Sequence, residues 1–104
     1  MEVIFKVLDD ILIARIKGDV DHHTAKAIRE KIDAMLFESR AHLLIIDFGR
    51  VEFMDSSGLG LILGRVDRAG ALGATVEVRG LSPRLHKLLR LSGLERVAGL
   101  SLVK

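Results

Sequence analysis

The residue types that could do chemistry concentrate in FMDSSGLGLILG, residues 53–64, where an apolar strand should give way to an apolar helix. Nucleophilic catalysis is disfavoured, because the hydrolase elbow G-x-S-x-G needs a glycine two residues before the serine and Met54 stands there. The dinucleotide fingerprint G-x-G-x-x-G also fails, since the third glycine arrives one residue late. Two interpretations remain open for Ser56 and Ser57: an oxygen that caps the helix, or a site that accepts a phosphoryl group.

A phosphoryl group suits the start of a helix, because the first N–H groups are unpaired and the helix dipole is positive there. On Ser56 it would add roughly 1.5 to 2 negative charges next to Asp55, so the serine is well placed as a switch. The sequence has no phosphate-binding loop of its own. We therefore expect any phosphate on Ser56 to come from another protein.

Three glycines, Gly58, Gly60 and Gly64, interrupt the predicted second helix, and each costs roughly 0.5 to 1 kcal/mol relative to alanine. They indicate either close packing against a neighbouring element or a shallow patch, edged by an exposed Leu61, where the backbone of a partner comes close. The helical period assigns the buried stripe to Leu59, Ile62, Leu63, Val66 and Ala69 and turns Leu61 and Arg68 away from it.

The stretch DVDHH, residues 19–23, holds two carboxylates and two imidazoles. A metal site is disfavoured, because adjacent histidines project about 100° apart on a helix and further ligands would have to come from distant positions. We predict instead that Asp21 caps the first helix. The turn should lie beside the serine loop, since both follow the carboxyl ends of strands.

The elements that must position these residues follow the order ββαβαβαβ. Two strands, 3–8 and 11–17, are joined at Asp9 and Asp10, and later strands are predicted at 43–48, around Val76 and Val78, and at 100–103. The first helix carries the apolar stripe Ala25, Ile28, Ile32, Met35 and Leu36, with pairs Lys26–Glu30 and Arg29–Asp33 on its exposed side. The second helix spans about 57–69, and the third has Ser82 as N-cap, Pro83 at its first position, Leu85, Leu88 and Leu89 inward and Gly93 as terminator.

Strands that alternate with helices predict an α/β fold with a mixed, mostly parallel sheet of about five strands and three helices. The first hairpin should supply an antiparallel edge. The continuous apolar run of the third strand is typical of a central strand covered on both faces.

Length and composition limit the function. The 104 residues predict a single domain, 1–104, without room for a separate catalytic domain. With no cysteine and no apolar run of membrane-spanning length, a cytoplasmic protein is expected, without membrane association. The net charge is only +2 and the charges are interspersed, so nucleic-acid binding is not expected.

Three stretches together, GDVDHHTA, FMDSSGLGLILGR and LSPRLHKLLRLSGL, closely resemble the anti-sigma factor antagonists of the stage II sporulation protein AA type within the STAS family. The resemblance covers essentially the whole chain. It implies the STAS fold and a binding protein that is not an enzyme, without cofactor or metal. The unphosphorylated antagonist would bind an anti-sigma factor that is also a serine kinase and release a sporulation-type sigma factor. Any ATP or ADP belongs to that kinase.

The resemblance also assigns residues. It implies phosphorylation of Ser56 by the kinase and its reversal by a serine phosphatase. The partner-binding positions that it implies are Asp55, Ser57, Gly58, Leu59, Gly60, Leu61 and Gly64, with Asp19 and Asp21 facing basic residues of the partner.

Two other interpretations stay open. One is a STAS module of another partner-switching pathway, such as general stress, and the other is an independent hydrolase or phosphate-transfer enzyme. Members of the family usually end with a fourth helix, and this chain stops at Lys104 soon after its last predicted strand. We therefore expect the final helix to be missing and one face of the sheet to be less covered.

Overall fold

The computed structural model describes residues 1–103 of the chain. The elements follow the predicted order and are listed here with their bounds: β1 (Glu2–Leu8), β2 (Ile11–Lys17), α1 (Ala25–Ser39), β3 (Leu43–Arg50), α2 (Ser57–Ala71), β4 (Thr75–Arg79), α3 (Pro83–Leu91), a 3₁₀ turn (Leu94–Arg96) and β5 (Leu100–Leu102). The predicted α/β class is confirmed, and the 3₁₀ turn is an addition to it.

The strands of residues 1–103 form one sheet in the order β1-β2-β3-β4-β5. The first pair is antiparallel, and every later pair is parallel, as the hairpin and the three crossovers predict. Asp9 takes the left-handed conformation, with φ 52°, which lets the hairpin close over two residues. The carboxyl ends of β2 and β3 therefore lie next to each other at one edge of the sheet.

All three helices pack on the same face of the sheet. Right-handed crossovers between successive neighbouring strands require this arrangement. Leu44, Ile46 and Phe48 of β3 lie in one buried cluster with the inward side chains of α1, α2 and α3. Ile45 points to the other face, where it is buried but outside that cluster. Its cover there comes from the neighbouring strands, in register with Ile13 and Glu77, so β3 is shielded on both faces by different means.

The third helix is capped as predicted, but a different face of it packs against the core. Ser82 Oγ accepts a hydrogen bond from Leu85 N at 3.2 Å, and Gly93 takes a φ of 84° after the helix ends. Leu88 was predicted to face inward and is 49% exposed, because α3 packs mainly through Leu89 and the 3₁₀ turn that follows. None of the helices within residues 1–103 is long and apolar enough to cross a membrane.

Candidate functional site

Backbone hydrogen bonds join the segment after β2 to the segment after β3. Val20 N donates to Phe53 O at 2.9 Å, and Asp55 N donates to Val20 O at 3.1 Å. Val20 and Met54 form a parallel bridge beyond the ends of the named strands. The acidic turn, residues 19–21, thus lies directly beside the serine loop, residues 53–57, as the strand order predicts.

The acidic turn is a closed network of hydrogen bonds. Asp21 Oδ1 accepts from His23 N at 2.8 Å and from Thr24 N at 3.0 Å. Thr24 Oγ1 donates to Asp19 O at 2.9 Å and accepts from Asp21 N at 3.1 Å. The prediction that Asp21 caps the first helix is wrong, because its carboxylate accepts from N–H groups of the turn that precedes α1. The helix itself begins at Ala25, with Thr24 in the N-cap position.

The two carboxylates of the turn differ in their surroundings. Desolvation favours the neutral form of Asp21, but the N–H groups of His23 and Thr24 outweigh it and lower the pKa of this carboxyl below 3.8. Asp19 is exposed, and its backbone oxygen, not its carboxylate, is the group bonded to Thr24. At neutral pH the turn presents negative charge to solvent beside the start of α2.

Asp55, not a serine, caps the start of α2. Its Oδ1 accepts a hydrogen bond from Ser57 N at 2.8 Å. Ser56 occupies the N-cap position, with φ −61° and ψ −18°, and its side chain makes no capping bond to any residue from 1 to 103. The interpretation of Ser56 as the capping oxygen is therefore wrong. Ser56 is also exposed to solvent.

Gly58 is required for packing. Its predicted place on an open docking surface is wrong. The residue is buried, and a Cβ built on it would overlap Sδ and Cγ of Met54. A side chain at this position would force the side chain of Met54 to move. The close-packing interpretation of the glycines holds here. Leu59, the next residue, is half-buried against the core.

Gly60 and Gly64 have open space above them. A Cβ on either one would meet no atom of residues 1–103 within 4 Å, apart from its own chain neighbours and helix backbone. The shallow-patch interpretation fits these two glycines, which lie one turn apart. Its predicted edge is wrong, because Leu61 is only 4% exposed, whereas Leu63, predicted to be inward, is 41% exposed.

The reason is that α2 packs against α1 as well as against the sheet. Its buried residues are Gly58, Leu61, Ile62, Arg65 and Ala69, an arc rotated towards α1 from the predicted stripe. The spacing of hydrophobic residues predicts which face of a helix is apolar, but it does not show that another helix packs against the edge of that face.

A groove of about 490 Å³ runs between the first halves of α1 and α2. Its lining residues are His22, Ala25, Lys26, Arg29, Ser57, Gly60, Leu61, Gly64 and Arg65. Leu61 and the two open glycines thus belong to one concave surface that begins at the serine loop. Ser57 is half-buried in it, whereas Ser56 is exposed just before it.

An ion pair joins the two helices below the groove. Arg65 is buried, and its Nε lies 2.8 Å from Asp33 Oδ1. Desolvation lowers the pKa of Arg65, as do Arg29 and Arg68, while Asp33 opposes them. The predicted pair of Arg29 with Asp33 is wrong, since Asp33 faces α2, whereas Lys26 and Glu30 do pair, at 3.8 Å. Sequence reasoning missed this cluster, because no local pattern shows which helix flanks will meet.

The described residues, 1–103, contain no group of three or more histidines and carboxylates placed to hold a metal ion. His22 and His23 are both exposed, with ring centroids 3.9 Å apart and the planes tilted by 39°. Their side chains stack on each other and do not converge on a common point with other ligands.

Comparison with known proteins decides the family. The model of the STAS domain matches residues 2–102. The chain belongs to the STAS family. Within this family, the STAS domain described here is 36% identical over 87 residues to the "Anti-sigma F factor antagonist" of Paenibacillus polymyxa, covering 84% of this chain and 74% of that protein. It is 34% identical over 86 residues to the "Anti-sigma-B factor antagonist" of Bacillus subtilis, covering 83% and 77%.

Solved structures agree with this assignment. The anti-sigma factor antagonist SpoIIAA in its unphosphorylated form has a TM-score of 0.74 and 29% identity, covering 99% of this chain and 88% of that one. The phosphorylated form of Bacillus SpoIIAA has a TM-score of 0.73 and 31% identity, covering 99% and 92%. The predicted STAS fold, with a five-stranded mixed sheet in residues 1–103, is confirmed. The relatives named for sigma F and for sigma B and the solved SpoIIAA structures all place the domain among the anti-sigma factor antagonists of the STAS family.

Proposed function

We propose that this STAS domain binds an anti-sigma factor that is also a serine kinase, and that phosphorylation of Ser56 breaks the complex. In the unphosphorylated state the domain holds the anti-sigma factor, so that the sigma factor is released. The kinase transfers a phosphoryl group from its own ATP to Ser56, and a serine phosphatase removes it. The domain itself contributes a binding surface and an acceptor hydroxyl, not a catalytic group.

The observation that carries this proposal is the free hydroxyl of Ser56. The capping bond that a serine would ordinarily make is made by Asp55, which accepts from Ser57 N. Ser56 therefore loses no internal hydrogen bond when it is phosphorylated. The positive end of α2 tolerates the new charge, so the fold survives modification while the surface changes.

The surroundings of Ser56 explain why a phosphate would end binding. Asp19, Asp21 and Asp55 already give this edge negative charge. A further 1.5 to 2 negative charges, by the general charge of a phosphoserine, would strengthen the field and occupy the mouth of the groove. Basic residues of the partner opposite the acidic turn would still be attracted to the phosphorylated domain. We therefore assign the release of the partner to the size of the phosphoryl group and to charge repulsion at the mouth of the groove.

The sigma factor is proposed to be of the sporulation type. Support comes from the relative in Paenibacillus polymyxa, which is named for sigma F, and from the likeness to SpoIIAA. The alternative is a general stress pathway, which the relative in Bacillus subtilis named for sigma B favours. Binding assays with one anti-sigma factor of each class separate these two assignments.

Serine phosphorylation is the first test. The domain is incubated with a candidate anti-sigma kinase and ATP, and the product is analysed by mass spectrometry of the tryptic peptide that contains Ser56. We expect one phosphoryl group, on Ser56, and complete loss of it in Ser56→Ala. Ser57→Ala is the matched control, because it removes the neighbouring hydroxyl and keeps the bond from the residue 57 backbone N–H to Asp55.

Binding to the same kinase is the second part of that test. Ser56→Ala should bind as tightly as the unchanged domain, and Ser56→Asp at least about tenfold more weakly, since a like charge or a buried unpaired charge at an interface costs several kcal/mol. Phosphate found on Ser57 alone, or equal affinity of Ser56→Asp and the unchanged domain, would overturn the switch.

A further inference from the structure

The groove between α1 and α2 carries more positive than negative charge. Lys26, Arg29 and Arg65 line it, and no carboxylate does within residues 1–103. Two carboxylates lie close behind: Glu30 pairs with Lys26 at 3.8 Å, and Asp33 lies below the groove. Asp33 is shared, because Arg68 Nε also lies 3.9 Å from its Oδ2. Glu30 thus pairs with Lys26 and Asp33 with Arg65, and Arg29 is the lining cation without an acidic partner within residues 1–103.

Arg65 holds unused hydrogen-bonding capacity. Its side chain is only 5% exposed, and its Nε lies 2.8 Å from Asp33 Oδ1. The two groups are in contact but misaligned, so neither atom has a hydrogen bond to any of residues 1–103. Arg65 Nη1 is buried and unpartnered in the same sense. The guanidinium is thus ion-paired with Asp33 but keeps buried donors without a hydrogen bond. Such donors gain from an added acceptor, and a guanidinium offers carboxylates a forked, bidentate geometry.

The shape of the groove admits a chain segment as well as an ion. Gly60 and Gly64 leave two positions of its α2 wall without side chains, and the mostly buried Leu61 lies between them. Arg29 and Lys26 stand on the α1 wall and are exposed, so they can reach an approaching acid. The concave surface thus combines a bare backbone, an apolar contact and cations on its opposite wall.

We infer that this groove receives an acidic segment of the partner protein, with a carboxylate of that segment bound between Arg29 and Arg65. The inference rests on the proposed function and deepens it by naming the chemistry of the segment that the partner inserts. The full docking surface then has two poles, the acidic turn beside the serine loop and the basic groove between the helices. Opposite poles fix the orientation of a partner more than they raise its affinity.

A titration of the intact domain tests this without any kinase. ¹⁵N-labelled protein is titrated with a hexaglutamate peptide, and the backbone amide shifts are followed by NMR. We expect the shifts to be confined to the groove, at Ala25, Arg29, Gly60, Gly64 and Arg65. Hexaglutamine should give none of them, because it has the same length without the charge.

A matched pair of charge reversals locates the site. Arg29→Glu should weaken the hexaglutamate response about fivefold, because an exposed ion pair contributes up to that factor and the new charge adds repulsion. Lys31→Glu changes the net charge equally on the same helix, but residue 31 is exposed and outside the groove, so its response should match that of the unchanged domain.

Three results would overturn the inference: shifts spread over all basic surfaces, equal weakening by both reversals, or the same shifts with inorganic phosphate at equal concentration. The last result would show a small-anion site and no segment. Since Ser56 phosphorylation is measured separately, failure of this titration leaves the proposed switch standing. A normal titration combined with no phosphate on Ser56 would overturn the switch alone.

Discussion

The first turns of α1 and α2 start from the same edge of the sheet and use their hydroxyl residues in opposite ways. Thr24 and Ser56 both stand in the N-cap position with helical backbone angles, and in both turns an aspartate holds the backbone N–H groups. Thr24 Oγ1 is tied to Asp19 O and Asp21 N. The hydroxyl of Ser56 makes no capping bond within residues 1–103.

The difference shows that residue type and position do not by themselves make a modification site. A hydroxyl that closes a turn cannot be modified without breaking that turn, whereas one that is spared by a neighbouring carboxylate can. Asp55 accepts the hydrogen bond at the start of α2 and so leaves the hydroxyl of Ser56 without a structural role. In this way Asp55 supports the proposed switch. Thr24 also lies next to an aspartate, but its hydroxyl makes hydrogen bonds that stabilise the acidic turn.

The largest expected effect on stability comes from the close packing of α2 against Met54. Gly58→Ala should lower the free energy of unfolding by about 1–3 kcal/mol, because its Cβ would overlap Met54 and overpacking costs that much. The equivalent position in α1 is Lys26, which is exposed and has no such constraint. Urea unfolding followed by circular dichroism measures the change.

Gly60→Ala is the matched control for that substitution. It adds the same methyl group to the same helix where no atom of residues 1–103 lies near, so it should raise stability by about 0.5–1 kcal/mol through helix propensity. Equal stabilities of the two variants would show that Met54 moves aside at no cost and that α2 is not fixed by this contact.

The two hydroxyls should separate stability from phosphorylation. Thr24→Val should cost about 1 kcal/mol, because it removes a hydroxyl that both donates and accepts in the turn. Ser56→Ala should change stability by less than about 0.5 kcal/mol while abolishing phosphorylation. Both are measured by urea unfolding and by phosphate incorporation. The comparison fails if Ser56→Ala is the more destabilising of the two.

The smallest expected effect is a pH dependence of the acidic turn. The pKa of Asp21 is lower in the folded protein than 3.8, so its charge stabilises the fold above that value, and this contribution is lost as the pH falls through the folded pKa. The Tm difference between the unchanged domain and Asp21→Asn should therefore be present at about pH 7 and shrink as the pH falls below 3.8. Asp19→Asn carries the same charge change outside these bonds and is the control. A difference shared by both variants, or one that grows in acid, would contradict the prediction.

Local patterns predicted the elements well, because each one is specified within a few residues. The cap of α3 by Ser82 and the hairpin at Asp9 are examples, and both depend on groups at most three residues apart. The start of α1 was placed too early, because Asp21 offers its carboxylate to the N–H groups of a turn as readily as to those of a helix. The residues of FMDSSG pointed to the site before any contact was known.

The amino-acid order by itself determined the strands and helices, the mostly parallel sheet and the position of Ser56 at the start of α2, since these follow from period, turn residues and crossover direction. Only the tertiary structure decided that Leu61 is buried, that Asp33 pairs with Arg65, and that Ser56 and not Asp55 is left free. The physical reason is that side chains on the flanks and at the ends of helices have several possible partners. Which partner they contact depends on how elements that are far apart in the chain pack together. Those contacts also formed the basic groove that the sequence did not show.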